Sequence, residues 1–336
     1  MSKKQKVTVL GDGGWGTTLS ILLSKNGMDV CLWSPFFNYA KTLRETRNNK
    51  KFLPDIKIPR QINITSDLKS AIDYSSVMII VIPSKYLRIV LQKMKCLRIN
   101  SAEKIFLSAT KGIEPGSLLR MSEVINQELG RVDLAVLSGP NISFEVAKQM
   151  PAASVVASKH KRISCFFQDL LMNDSFRIYT NDDVIGVELG GSLKNIIALA
   201  CGISDGLGFG SNAKSALLTR GLAEICRIGI AMGARRQTFF GISGLGDLVT
   251  TCSSIHSRNR SLGEQIAKGK KIGLILKNMK MVAEGVETTR AAYKLSRRFN
   301  IDMPITKEIY KVLFKNKSPK KAVRDLMIRA KKSELH

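Results

Sequence analysis

The sequence predicts an α/β protein in two parts: an N-terminal doubly wound, mostly parallel sheet over residues 1–185, and an all-helical C-terminal domain over 186–336. Three observations carry this. Short β-branched apolar runs alternate with stretches of helical spacing through the first 180 residues, the pattern of a parallel sheet with crossover helices. One run, Val77 to Ile82, is continuously apolar, as a central strand buried on both faces requires. After Thr180 strand candidates become scarce and apolar residues recur at helical spacing.

Taken in order, Val7 to Leu10 is a strand ending at Gly11. Leu19, Leu22 and Leu23 then share a helix face that Gly27 terminates. Val30 to Trp33 is the second strand, and Thr65-Ser66-Asp67 caps a helix carrying Leu68, Ala71 and Ile72. Val77 to Ile82, Lys104 to Ala109, Leu134 to Leu137, Ser154 to Ala157 and Phe176 to Tyr179 continue the strand series. Beyond the boundary, Leu189, Leu193, Ile196, Ile197 and Ala200 mark a helix. Ala216 to Ile230, Ala283 to Leu295 and Ile305 to Phe314 mark others, with Pro304 and Pro319 at helix starts.

A length of 336 residues, 44% hydrophobic and 24% charged, suits two self-sufficient cores. Lys and Arg number 53 against 27 Asp and Glu, a net charge of +26. Such a field attracts anions, but the basic residues are dispersed and no Arg-rich arm interleaves with aromatics. A solvated basic surface that helps attract an anionic substrate is favoured over nucleic-acid binding. The six cysteines form no Cys-x-x-Cys pair and read as reduced core residues of a cytosolic protein. Neither a signal peptide nor an apolar run long enough to cross a membrane is expected. His160, His256 and His336 share no metal-ligand spacing.

Gly11-Asp12-Gly13-Gly14-Trp15-Gly16 is a Gly-x-Gly-x-x-Gly loop directly after a strand and before a helix, the context in which that pattern signals a Rossmann dinucleotide site. Gly11 permits the turn, Gly13 admits a pyrophosphate, Gly16 lets helix and strand approach, and the helix N-terminus faces the anion. An acid about 20 residues on would read an NAD ribose. The second strand instead ends Trp33-Ser34-Pro35, without acid or Arg, so NAD and NADP are both left open.

The chain resembles bacterial-type NAD(P)-dependent glycerol-3-phosphate dehydrogenases over nearly its whole length. The resemblance rests on Gly11 to Gly16 with Trp15, Ser108 to Glu114, and Leu137 to Asn141. It continues through Glu188 to Asn195, Gly244 to Leu248, Ser257-Arg258-Asn259 and Val282 to Gly285. It implies interconversion of dihydroxyacetone phosphate and sn-glycerol 3-phosphate with NADH or NADPH, feeding glycerophospholipid synthesis, by a cytosolic homodimer. It also implies cofactor contacts at Val282 and Glu284. Two departures stand out: Ser34-Pro35, where the family often carries a basic residue, and Gly139-Pro140-Asn141-Ile142-Ser143, where it often reads Gly-Pro-Ser-Phe-Ala.

Reducing a ketone by hydride leaves charge on the carbonyl oxygen, so the protein must supply an acid. Lys194, in an otherwise apolar helix, is the candidate: burial would lower its pKa toward neutrality, and the family's catalytic lysine falls on it. Asp247, in a glycine-rich loop, would hold that ammonium, with Thr251 adding a hydroxyl; a cap for the helix from Leu248 is the plainer reading. Lys111, Gly139, Asn141 and Ser143 follow strand ends, where ligands of open α/β sheets bind, so Lys111 is expected to contact substrate or cofactor and Ser143 to bring a hydroxyl near the cofactor. Asn195 offers a donor and an acceptor to a substrate hydroxyl. Ser257, Arg258 and Asn259 form the expected phosphate clamp, with Arg258 also near the cofactor. Gly190 and Gly191 signal either ligand approach or tight helix packing. Related dehydrogenases of 3-hydroxy acids or 6-phosphogluconate share the plan, but Asp247 and the Ser257 to Asn259 motif argue against them. A cofactor sensor would have no use for Lys194, Asp247 and Arg258 together.

Overall fold

The computed structural model describes residues 4–279, 283–331, 333 and 334. Its strands are β1 (Lys6–Leu10), β2 (Asp29–Trp33), β3 (Asn48–Asn49), β4 (Leu53–Lys57), β5 (Asn63–Thr65), β6 (Val77–Ile80), β7 (Ile105–Ser108), β8 (Asp133–Ser138), β9 (Ala152–Ala157) and β10 (Phe176–Asn181). Eight of them form one sheet in the order β10-β9-β8-β7-β6-β1-β2-β5, while β3 and β4 make a separate hairpin. From β5 to β8 every neighbour pair is parallel. The chain steps outward from β1 in both directions, so the reversal of strand order lies between β1 and β6, where a crevice opens beyond the carboxyl ends.

One edge departs from the parallel plan. β9 runs antiparallel to β8, with Ser138 opposite Val155. The connection, residues 139–151, stays at the carboxyl end of the sheet, so the chain turns back instead of crossing over. Gly139, at φ +144°, makes that turn, and a Cβ there would lie 2.8 Å from Ser154 Cα.

The helices of this half are α1 (Gly14–Lys25), α2 (Phe37–Thr46), α3 (Leu68–Asp73), α4 (Ser84–Cys96), α5 (Met121–Leu129), α6 (Ser143–Ala147) and α7 (Lys161–Leu171). Asp67 caps α3 as expected, accepting from the Lys69 and Ser70 N–H groups. Alternate strand residues feed two cores: Val7, Val9, Val30 and Ile79 on one face, Leu10, Cys31, Met78 and Ile80 on the other.

The second half contains α8 (Val184–Gly206), α9 (Ser211–Ala231), α10 (Asp247–Ser253), α11 (Arg258–Ala267), α12 (Ile272–Asn278), α13 (Glu284–Arg298), α14 (Pro304–Phe314) and α15 (Pro319–Met327). Pro304 and Pro319 open their helices as expected. Every residue of α8 from Gly186 to Ser204 is buried, with α9, α10, α11 and α13 packed around it. By length and composition α8 could cross a membrane, but 89% of its most apolar window is enclosed by protein. Cys31, Cys201, Cys226 and Cys252 are buried; Cys96, at the end of α4, is exposed, against the expectation of a core position for the cysteines.

Candidate active site

The glycine loop lies at the reversal point. Gly11, at φ +123°, donates its N–H to Trp33 O, and a Cβ on it would sit 2.5 Å from Val81 O. A Cβ on Gly16 would overlap the Gly11 carbonyl, so α1 can rest on the loop only through a glycine. Gly14 is closed in by Phe52 O, 2.7 Å from where its Cβ would stand. Above Gly13 there is open space, and α1 begins with no side-chain cap. Uncapped N–H groups beneath an open volume suit an anionic pyrophosphate, and this is the structural fit to a dinucleotide. Trp15 sets its ring edge-to-face against Phe176, with the centroids 6.3 Å apart. Ser143 heads α6, whose carbonyl accepts from Thr18 Oγ1 at 2.9 Å, and its hydroxyl lies 3.6 Å from the absent Gly14 Cβ.

Across the crevice, α8 carries Lys194, 6% exposed. Its ammonium donates to Asp247 Oδ1, and to Thr251 Oγ1 at 2.6 Å. The loop expected before Leu248 is a π-helical turn, Ile242–Gly246, and Asp247 is the first residue of α10. That wide turn aims the carboxylate inward, and Asp247 is no cap. Its second oxygen, Oδ2, accepts from Lys111 Nζ at 2.9 Å. Lys111 also donates to Gly139 O at 2.9 Å and Asn141 Oδ1 at 2.8 Å. Asn141 in turn reaches Ser154 Oγ at 3.3 Å, so its amide serves to fix Lys111. One buried carboxylate thus joins two lysines from the two halves of the chain.

Burial pushes the Lys194 ammonium down to about 7; Asp247 opposes this and the positive charge of Lys111 adds to it. Both neighbouring glycines are explained by packing. A Cβ on Gly190 would stand 2.6 Å from Ser243 O of the π turn, and one on Gly191 would overlap Ser138 Oγ at the end of β8.

The expected clamp is divided by the structure. Ser257 caps α11, accepting from Arg260 N at 3.3 Å. Asn259 is buried, donates to Asn195 Oδ1 at 2.9 Å and accepts from Gly285 N at 3.1 Å. Both are therefore committed to local structure, and Asn195 has its acceptor filled by a neighbour. Arg258 is exposed by surface area; desolvation by the groups around it lowers its pKa, and Glu284 opposes the effect. Glu284 accepts from Ser84 N at 3.2 Å and Ser84 Oγ at 2.6 Å, clasping α13 to the start of α4. Val282 lies outside the described residues.

Ser84 and Ser154 were missed in the sequence, although both belong to the same rim. Ser84 follows Ile82-Pro83 at a strand end beside the order reversal, so strand-end position alone could have found it. Ser154 lies inside β9, and only the antiparallel return brings it to the rim. Also unforeseen is a buried ion pair, Arg120 with Glu188 at 2.5 Å, which ties α5 to α8 below the site.

Comparison with known proteins bears directly on this geometry. Residues 6–164 match the family model of the NAD-dependent glycerol-3-phosphate dehydrogenase N-terminus, and residues 183–324 that of its C-terminus. The chain is 50% identical to glycerol-3-phosphate dehydrogenase [NAD(P)+] of Thermoanaerobacter sp. (strain X514), covering 98% of this chain and 99% of that one. It is 47% identical to the enzyme so named from Geobacillus thermodenitrificans, covering 99% and 97%. A crystal structure of glycerol-3-phosphate dehydrogenase from Coxiella burnetii superposes with a TM-score of 0.93 at 38% identity, over 97% of this chain and 99% of that one. The chain belongs to the NAD-dependent glycerol-3-phosphate dehydrogenase family.

Proposed function

We propose that this oxidoreductase interconverts dihydroxyacetone phosphate and sn-glycerol 3-phosphate, supplying the glycerol backbone of phospholipids, and that Lys194 is its acid and base. The single observation that supports this most is a buried lysine held by Asp247 and Thr251, its carboxylate partner shared with Lys111 of the half that carries the glycine-loop cradle. NADH or NADPH, bound on Gly11, Gly13, Gly14 and Gly16, supplies the hydride. We assign Trp15, Lys111, Ser143, Arg258 and Glu284 to the same cofactor site, and Val282 to it on family resemblance.

In the reducing direction the Lys194 ammonium faces the carbonyl oxygen and gives it a proton as charge develops there. Asp247 holds the ammonium in place, and Lys111 on the other carboxylate oxygen keeps the site positive for an oxyanion. In the oxidising direction the neutral Lys194 amine takes the hydroxyl proton. Arg258 binds the phosphate; Gly139, Asn141, Asn195, Thr251, Ser257 and Asn259 shape the pocket around the three-carbon chain, mostly by fixing one another. We assign the cradle to residues 1–185 and the catalytic helices to 186–336, and propose a cytosolic homodimer.

Replacement of Lys194 by Ala should lower kcat by roughly 10²–10⁴-fold while NADH still binds. With the ammonium at about 7, kcat/KM for reduction should fall as pH rises through that value, and that for oxidation should rise. Steady-state rates in both directions from pH 5.5 to 9 check this; a variant retaining most of its turnover would overturn the assignment.

A further inference from the structure

The end of β2, where an acid commonly reads the adenosine ribose, carries Ser34, which is fully buried. Its backbone N–H bonds Thr65 O at 2.9 Å, fixing its position against β5. Its hydroxyl donates to Asp12 Oδ2 at 2.5 Å. Asp12 belongs to the glycine loop, and its own carbonyl accepts from Asn49 Nδ2 at 2.7 Å, so the loop is clamped with its carboxylate against the end of β2. Among the described residues, no other side chain donates to that carboxylate. Directly beyond Ser34, Phe36 and Phe37 are 68% and 65% exposed, an apolar surface of the kind an adenine base covers.

We infer that Asp12 is the residue that selects between the two dinucleotides, standing at the end of β2 in place of an acid carried by β2 itself, and that it favours NADH over NADPH. The inference rests on the glycine loop being the dinucleotide cradle. A ribose diol offers two hydroxyl donors to a carboxylate, a charge-assisted pairing. A 2′-phosphate brings like charge to the same place, where among the described residues no cation is ion-paired with the carboxylate. Pro35, Phe36, Phe37 and Asn38 carry none. Arg47 is turned to Ile62 O at 2.7 Å and Arg44 to Ile64 O at 3.3 Å. The Lys51 ammonium acts on Asp12 through its charge, but it sits 4.8 Å over the Phe52 ring and forms no ion pair with that carboxylate among the described residues.

The test is equilibrium titration of NADH and NADPH by fluorescence, which needs no turnover. Wild type should bind NADH roughly 10–100-fold more tightly. Asp12→Asn keeps an acceptor for Ser34 and removes the charge; the preference should shrink at least several-fold, with NADPH binding improved and the thermal midpoint little changed. Ser34→Ala removes the brace and keeps the charge, so the preference for NADH should survive. Equal or tighter NADPH binding by wild type would overturn the role of Asp12. So would an unchanged ratio in Asp12→Asn, which would leave Asp12 a brace for the loop. Failure of both dinucleotides to bind wild type would instead overturn the cradle.

Discussion

Arg258 occupies a different position from its sequence neighbours, Ser257 and Asn259, and this isolates its chemistry. Since they are spent on a helix cap and on the Asn195–Gly285 bridge, the phosphate-binding role proposed for the motif falls on the guanidinium. Arg258→Ala should lower kcat/KM for dihydroxyacetone phosphate by roughly 10–100-fold and leave that for unphosphorylated dihydroxyacetone nearly unchanged, the loss expected for one charge-assisted bidentate contact. Equal losses on the two substrates would make it a cofactor or structural residue. At this scale the sequence was most informative where a residue type conflicts with its surroundings. A lysine in an apolar helix is conspicuous, and Lys194 proved to be buried beside Asp247. Pairings across long separations left no such mark: Glu284, Asp12 and Ser34 each lie in segments the sequence singles out, yet nothing in those segments joins Glu284 to Ser84 or Asp12 to Ser34.

Elements were legible in proportion to their apolar content. Each strand of the sheet's interior was visible because burial on both faces imposes a continuous apolar run. β5 is three residues long, one of them buried, and the β3–β4 hairpin is largely polar, so neither had a pattern to show. The reversal of β9 was hidden too, since strand direction depends on which way residues 139–151 turn and not on β9 itself. Packing of α8 on α11 is likewise a property of pairs. A Cβ on Gly202 would overlap the Arg260 carbonyl, and one on Gly263 would overlap the Leu199 carbonyl, so the two backbones approach through glycines. In an open helix, exchanging Gly for Ala adds stability by about 1 kcal/mol. At Gly202 the sign should reverse, with a loss of about 1–3 kcal/mol from forced displacement of α11. Urea denaturation measures it, and a stabilised Gly202→Ala protein would show that the helices have room to spare.

At the scale of the molecule, the formal net charge of +26 surrounds a site whose substrate is an anion. The field should speed encounter without determining fit, so its effect is separable by salt. Between about 0.02 and 0.15 M ionic strength the screening length shrinks from over 20 Å to about 8 Å. kcat/KM for dihydroxyacetone phosphate should fall over that range, while that for uncharged dihydroxyacetone should stay level. Parallel responses would mean that salt acts on the protein or the cofactor and not on substrate approach.

The enclosed helix α8 also governs how this chain must be made. It is synthesised before most of what covers it: α9 through α11 follow, α13 begins about eighty residues later, and α14 packs on it after that. Until then a segment apolar enough to enter a membrane has only partial shelter on the nascent chain. Its permanence in water is therefore guaranteed by residues that do not yet exist when it emerges. Chain interrupted between α8 and α13 should be recovered aggregated or chaperone-bound, whereas the sheet half, whose two cores are complete by β10, has no such dependence.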